Sequence, residues 1–154
     1  MTRPDPAADD IRWMRYAIEL AQRCPAASGA YSVGAVIVDE HSNEISSGFS
    51  RDVDSHVHAE ESALAKVPAG DPRLPAATLY STLEPCSQRK SRPRTCTQLI
   101  LDAKILRVVI AWREPSLFVA DCQGHELLTA AGVKVVELPS LAGRARAANS
   151  HLAL

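Results

Sequence analysis

Little in this chain of 154 residues pulls in one electrical direction: 17 Lys and Arg stand against 18 Asp and Glu, a formal net charge of -1. No global attraction to nucleic acid or membrane is implied, so any basic site must be local. Aromatic residues make up 5% of the chain, too few for a platform on which bases stack. No window approaches the run of about 20 apolar residues that spans a bilayer. Met1 to Asp10 is acidic and Pro-containing, unlike a leader peptide. These absences predict a cytoplasmic protein with no membrane partner. Cysteines number four, at 24, 86, 96 and 122. A chain this long needs no cross-links, so a metal or catalytic role is a better reading than a disulfide framework. Repeats, low-complexity tracts and interdomain linkers are missing too, which predicts one domain over 1–154 with residues 1–8 flexible.

What is there suits a packed core: 46% of residues are apolar and 23% charged, ordinary globular usage. Asp9 to Cys24 carries Ile11, Met14, Ile18 and Leu20 with Ala17 and Ala21, an apolar stripe that predicts a helix ending before Pro25. Val33 to Val38 and Glu44 to Phe49 read as two strands of a hairpin. Ala59 to Lys66 reads as a helix stopped by Pro68 and Gly70, which puts His58 and Glu60 at its start. Ala77 to Leu83 reads as a buried strand, and Thr95 to Ala103 as a helix that begins around Cys96. Strand Arg107 to Ala111, helix Gly124 to Ala131, strand Val133 to Leu138 and helix Leu141 to His151 complete the chain. Strands alternating with helices after an initial hairpin predict a layered α/β sheet with helices on both faces.

His58, Glu60, Cys86 and Cys96 carry the chemistry. One imidazole and two thiolates supply three ligands for Zn2+ and leave the fourth tetrahedral position open, the pattern of a catalytic site. Glu60, two residues after His58, cannot share a metal face with it but can reach a water beside it, as a general base. His56 is an alternative fourth ligand, a substrate contact or an exposed side chain. His-x-Glu followed by Pro-Cys is the signature of the zinc deaminases, although nine residues separate Cys86 from Cys96 here where the short form has two.

At these residues the chain resembles the deaminase domain of the bifunctional riboflavin-biosynthesis deaminase/reductase family, in the cytidine-deaminase-like superfamily, whose second cysteine also follows a long loop. The resemblance runs from Val33-Gly34-Ala35-Val36-Ile37-Val38 through His58-Ala59-Glu60 and Thr82-Leu83-Glu84-Pro85-Cys86-Ser87 to Leu99-Ile100, Arg107-Val108-Val109 and Ala131-Gly132-Val133. It implies a three-layer α/β/α fold with a five-stranded mixed sheet, zinc ligands at two helix starts, a homodimer or homotetramer, and diaminohydroxyphosphoribosylaminopyrimidine as substrate. The reductase half of the family's longer protein has no counterpart in this sequence.

Departures fall where substrate is chosen. The family's Pro-Asn-Pro segment is Gly29-Ala30-Tyr31-Ser32 here, and its Cys-Ser-His is Cys86-Ser87-Gln88. Between the ligand cysteines, Arg89, Lys90, Arg92 and Arg94 form a basic loop suited either to phosphate oxygens or to solvent. Candidate substrate contacts are therefore Tyr31, His56, Ala59, Glu84 and Ser87, with Arg92 and Arg94 for a phosphate. Glu84 equally suits capping of backbone amides, and Trp112 either the pocket or the core. Cys24, Cys122, His41, His125 and His151 have no expected part in the mechanism. The expected ligand is a small pyrimidine, with nucleic acid ranked well below it. Deamination of another nucleobase, nucleoside or pyrimidine metabolite is the runner-up, and a non-catalytic zinc-binding module is the alternative outside enzymes.

Overall fold

A computed structural model of the chain describes residues 6–25, 27–89, 92–115 and 122–152. Helix α1 (Pro6–Ala21) buries Met14, Ala17, Ile18 and Ala21, a face at three- and four-residue spacing. It begins inside the segment 1–8 that the sequence suggests is flexible, and residues 1–5 lie outside the described residues. Proline suits the first turn, where a backbone N–H has no partner inside the helix. The helix ends before the predicted Cys24: the N–H groups of Arg23 and Cys24 donate to Leu20 and Ala21, three residues back, and Pro25 has no N–H.

The sheet comprises β1 (Gly34–Val38), β2 (Glu44–Phe49), β3 (Thr78–Leu83), β4 (Arg107–Trp112) and β5 (Lys134–Glu137), in the order β2-β1-β3-β4-β5. β1 runs antiparallel to both β2 and β3, and β3, β4 and β5 are parallel. Helices α2 (Ala59–Ala65), α3 (Cys96–Asp102) and α4 (Gly124–Ala130) cover one face, and α1 and α5 (Ala142–Ala147) the other. This is the layered α/β sheet that the sequence pattern predicts, in the three-layer α/β/α form with a five-stranded mixed sheet that the family resemblance implies. Because both faces are covered, β1 is buried throughout and β4 beyond Arg107, which is why both read as continuous apolar runs.

Close approach sets where α2 lies. A Cβ on Gly48 of β2 would stand 2.7 Å from the Ala63 nitrogen, so only glycine lets α2 settle this near the sheet. Ser46 Oγ donates to the Ala63 carbonyl at 2.6 Å and fixes the same contact. The reversed direction of β1 brings its N-terminal end beside the C-terminal ends of β3 and β4, since Ala35 pairs with Ser81 and Leu83 with Trp112.

The helix predicted over Leu141–His151 is broken up. A 3₁₀ turn occupies Pro139–Leu141, α5 follows, and the N–H groups of Asn149 and Leu152 donate to carbonyls three residues back. The Asn149 side chain is buried and bonds to the Ser32 backbone and to the Ala145 carbonyl. Such side-chain competition for the backbone ends helices. A further 3₁₀ turn, Leu74–Ala76, buries Leu74 and has no counterpart in the sequence reading. Among the described residues no helix is long and apolar enough to cross a membrane.

Candidate active site

β3, the central strand, delivers Glu84-Pro85-Cys86 at its C-terminal end, and the N–H of Glu84 extends the ladder to the Trp112 carbonyl at 3.0 Å. Cys96 opens α3, where Thr95 caps the helix by accepting from the Gln98 N–H at 3.2 Å. Thr97 locks the two cysteine segments together: its N–H and its hydroxyl both donate to the Cys86 carbonyl, at 3.2 and 2.8 Å. Gly124 lies against the same segment, because a Cβ there would stand 2.0 Å from the Pro85 oxygen. His58 precedes α2 in extended conformation, and its N–H donates to Glu61 Oε1 at 3.2 Å.

The donor atoms of His58, Cys86 and Cys96 all lie within 4.8 Å of one another. His58 Nδ1 is 3.6 Å from Cys86 Sγ and 3.4 Å from Cys96 Sγ. A tetrahedral zinc ion, about 2.0–2.1 Å from nitrogen and about 2.3 Å from sulfur, sets such donors roughly 3.5 Å apart. The three residues therefore fit zinc in both chemistry and spacing. The Cys96 N–H lies 3.3 Å from Cys86 Sγ and favours its thiolate. Without metal the two thiols polarise each other. The hydrogen bond from Cys96 lowers the Cys86 pKa despite burial, while Cys96, fully buried and donating to Cys86, is raised. Burial alone would lower His58, but its contact with the Cys86 sulfur leaves it raised. Metal binding must displace these protons.

Glu60 is 4% exposed, too buried to be a solvated surface charge, and its Oε1 accepts from Ser81 Oγ at 2.6 Å. It does not need to be a ligand, since the triad is complete without it. Ser81, fully buried on β3, is a functional neighbour that sequence reasoning missed. A polar residue at an inward position of an apolar strand was the available signal.

A cavity of about 230 Å³ opens beside these groups, lined by Tyr31, His56, Ala59, Glu60, Glu84 and Glu114 among others. Of the expected substrate contacts, Tyr31, His56, Ala59 and Glu84 are brought to it. Ser87, Arg92 and Arg94 are not among its lining. Ser87 Oγ accepts from the Gln123 N–H at 2.9 Å. Arg92 pairs with Asp54 and Glu61, Arg94 with Asp102, and Arg89 with Glu61 and the His56 carbonyl. The loop's charge thus neutralises carboxylates of α2, α3 and the loop after β2. Lys90 lies outside the described residues.

Glu84 accepts at Oε1 from the Glu114 N–H and at Oε2 from the His125 N–H, at 3.1 and 2.8 Å. Both oxygens cap backbone, as one of its two sequence readings held. Trp112 is buried behind the pocket, edge-on to Tyr31 and beneath the Arg146 guanidinium. Two lining residues had no motif to reveal them. Arg51 adopts φ 59, and its guanidinium holds Pro25 O, Tyr31 O and Ser32 Oγ. Glu114 follows β4, and burial pushes its pKa up to about 7.

An imidazole and two thiols at the starts of α2 and α3 and just past the end of β3, with a buried carboxylate beside them, define the scaffold of the zinc deaminases. Residues 7–112 match the family described as the cytidine and deoxycytidylate deaminase zinc-binding region, and the chain belongs to it. It is 41% identical over 127 residues to the diaminohydroxyphosphoribosylamino-pyrimidine deaminase of Schizosaccharomyces pombe, covering 81% of this chain and 31% of that one. It is 39% identical over 105 residues to a tRNA-specific adenosine deaminase of Haemophilus influenzae, covering 65% of this chain and 56% of that one. RibD of Acinetobacter baumannii superposes with a TM-score of 0.79 at 31% identity, over 94% of this chain and 39% of that one. The chain thus spans about a third of the S. pombe relative and somewhat more of RibD.

Proposed function

We propose that this domain is a zinc-dependent hydrolase that deaminates an aminopyrimidine, with diaminohydroxyphosphoribosylaminopyrimidine as the first substrate to test. The observation that carries it is the placement of Glu60: a buried carboxylate, oriented by Ser81, facing the same cavity as His58 and Cys86. A purely structural metal site has no use for it.

His58, Cys86 and Cys96 would hold the ion, which would supply Lewis-acid chemistry and make a water acidic enough to ionise near neutral pH. Glu60 accepts a proton from the attacking water and returns it to the departing amine. Water adds its oxygen to the amine-bearing ring carbon, the C–N bond breaks, and ammonia leaves. Ser81 keeps the Glu60 carboxylate in one orientation through both transfers. Tyr31, standing where the family has its Asn-bearing segment, closes one wall. For a phosphorylated substrate His56 lines the cavity and takes precedence over Arg92 and Arg94, whereas the lining Arg51 has its guanidinium engaged within the protein.

Zinc-loaded protein assayed for ammonia release tests the reading, with Glu60→Gln as its control. The variant is expected to keep one zinc per chain and lose about 10²–10⁴-fold in kcat. Loss of zinc together with activity would mean that Glu60 is a ligand. Turnover of another aminopyrimidine, but not the phosphoribosyl compound, would select the runner-up substrate class. The H. influenzae relative supports a second reading, deamination within RNA; it requires polynucleotide binding that weakens steeply with salt. The ion pairs of Arg89, Arg92 and Arg94 weigh against it. Light scattering reads the expected homodimer or homotetramer.

A further inference from the structure

Most polar groups lining the cavity already have partners within the protein. Glu60 accepts from Ser81, and both Glu84 oxygens are taken by backbone N–H groups. Arg51 spends its guanidinium on two carbonyls and Ser32 Oγ, and Ser50 Oγ accepts from the Val33 N–H. Glu114 is different. Its carboxyl takes the Cys122 thiol as a hydrogen-bond partner, and a thiol is a weak donor. A partly buried carboxyl left in this way loses hydration without compensation, which a ligand N–H would restore.

Its placement gives it a different task from Glu60. Glu60 enters from α2, which packs on β1 and β2, whereas Glu114 follows the end of β4. The two carboxyls therefore reach the cavity from either side of β3. Glu114 is also held by its backbone, because its N–H donates to Glu84, which in turn holds the start of α4. A carboxyl carried on a backbone fixed in this way can discriminate between ligand edges, since a group lacking a donor leaves it unpaired.

We propose that Glu114 is a specificity-determining residue, whose carboxyl accepts hydrogen bonds from amino groups that the ring carries away from the reacting carbon. The cavity would then select a polyaminopyrimidine over a ring with plain C–H at those positions. This rests on the reading above that the ring occupies this cavity with its reacting carbon beside Glu60. Burial raises the Glu114 pKa, and the ligand's amino groups would supply donors to its charged form.

Two rings separate the outcomes: a 2-amino-4-oxopyrimidine with amino groups on carbons 5 and 6, and the same ring with hydrogens there. Zinc-loaded wild type, Glu114→Gln and Glu114→Ala are compared for kcat/KM on both. In parallel, calorimetry measures binding of both rings to Glu60→Gln, with and without Glu114→Ala. The wild type is expected to favour the amino-bearing ring. Glu114→Ala should reduce that ratio about 10-fold or more, mainly through KM, with Glu114→Gln between, as loss of one charge-assisted pairing implies. Zinc content and melting temperature establish that the variants are folded. An equal loss on both rings, or an unchanged ratio, would overturn the proposal while leaving deamination standing. A Glu114-dependent binding preference without turnover would retain the proposal and remove the deaminase reading. If neither ring binds, both readings fall.

Discussion

The Cys96 N–H that meets Cys86 Sγ comes from ten residues along the chain, whereas the Ser32 backbone beside Tyr31 is clamped by Asn149, 117 residues away. The two sides of the cavity are built in these different ways. On the metal side, each functional atom sits at the end of a short element and is fixed by its neighbours: Thr97 on Cys86, Glu61 on His58, Ser81 on Glu60. On the other side, the segment before β1 is braced from behind by α5 and the turns that follow it. Asn149 both accepts from and donates to Ser32, His151 meets the Ala30 carbonyl, and Arg146 covers Trp112, on which Tyr31 rests.

If the two sides are separable, their variants should divide cleanly. The largest effect is expected for Cys96→Ala, which removes a fully buried ligand: zinc measured by atomic emission should fall from one per chain to near none, and turnover to background. Retention of zinc would show that the triad is misassigned. Ser81→Ala should lower kcat about 10–100-fold with zinc retained, the range seen when a partner that orients a site residue is removed. A change confined to KM would move Ser81 to the other side.

Asn149→Ala should act on the other side. Leaving the Ser32 N–H and carbonyl unpaired in a buried site costs about 1–3 kcal/mol each, so a lower melting temperature and a KM raised several-fold are expected, with kcat nearly held. If kcat and zinc content fell with it, the brace would belong to the metal centre as well.

Glu114 gives a smaller, pH-dependent signature in metal-free protein. Burial raises its folded pKa from 4.5 to about 7, so the folded state binds more protons than the unfolded one between these values. Stability therefore decreases as pH rises through that window. Urea titrations across it should show the decline, and Glu114→Gln should flatten it. Arg94→Ala marks the floor: an exposed pair with Asp102 contributes about 0–1 kcal/mol, and KM for a phosphorylated substrate should not change.

Motif and periodicity exposed the metal side early. His58, Glu60 and Cys86 belong to short patterns whose spacing has chemical meaning, and Cys96 follows as the one later cysteine at a helix start. Ser81 and Glu114 have no such pattern. One reads as a residue within a buried strand and the other as the residue after one, until β-register puts them beside Glu60 and Glu84. Arg92 and Arg94 show the reverse case. A run of cations between two ligands suggests phosphate, but carboxylates from α2, α3 and the loop after β2 meet it first, and nothing local in the sequence announces that pairing.

By itself, then, the sequence determined the layered fold and the chemistry of one site, because apolar periodicity and ligand spacing are local properties of the chain. Only the tertiary structure decided which residues line the cavity. Its walls come from the segment before β1, the loop after β2 and the end of β4, and they are fixed by Arg51, Glu84 and Asn149 through hydrogen bonds whose partners can be more than 100 residues apart.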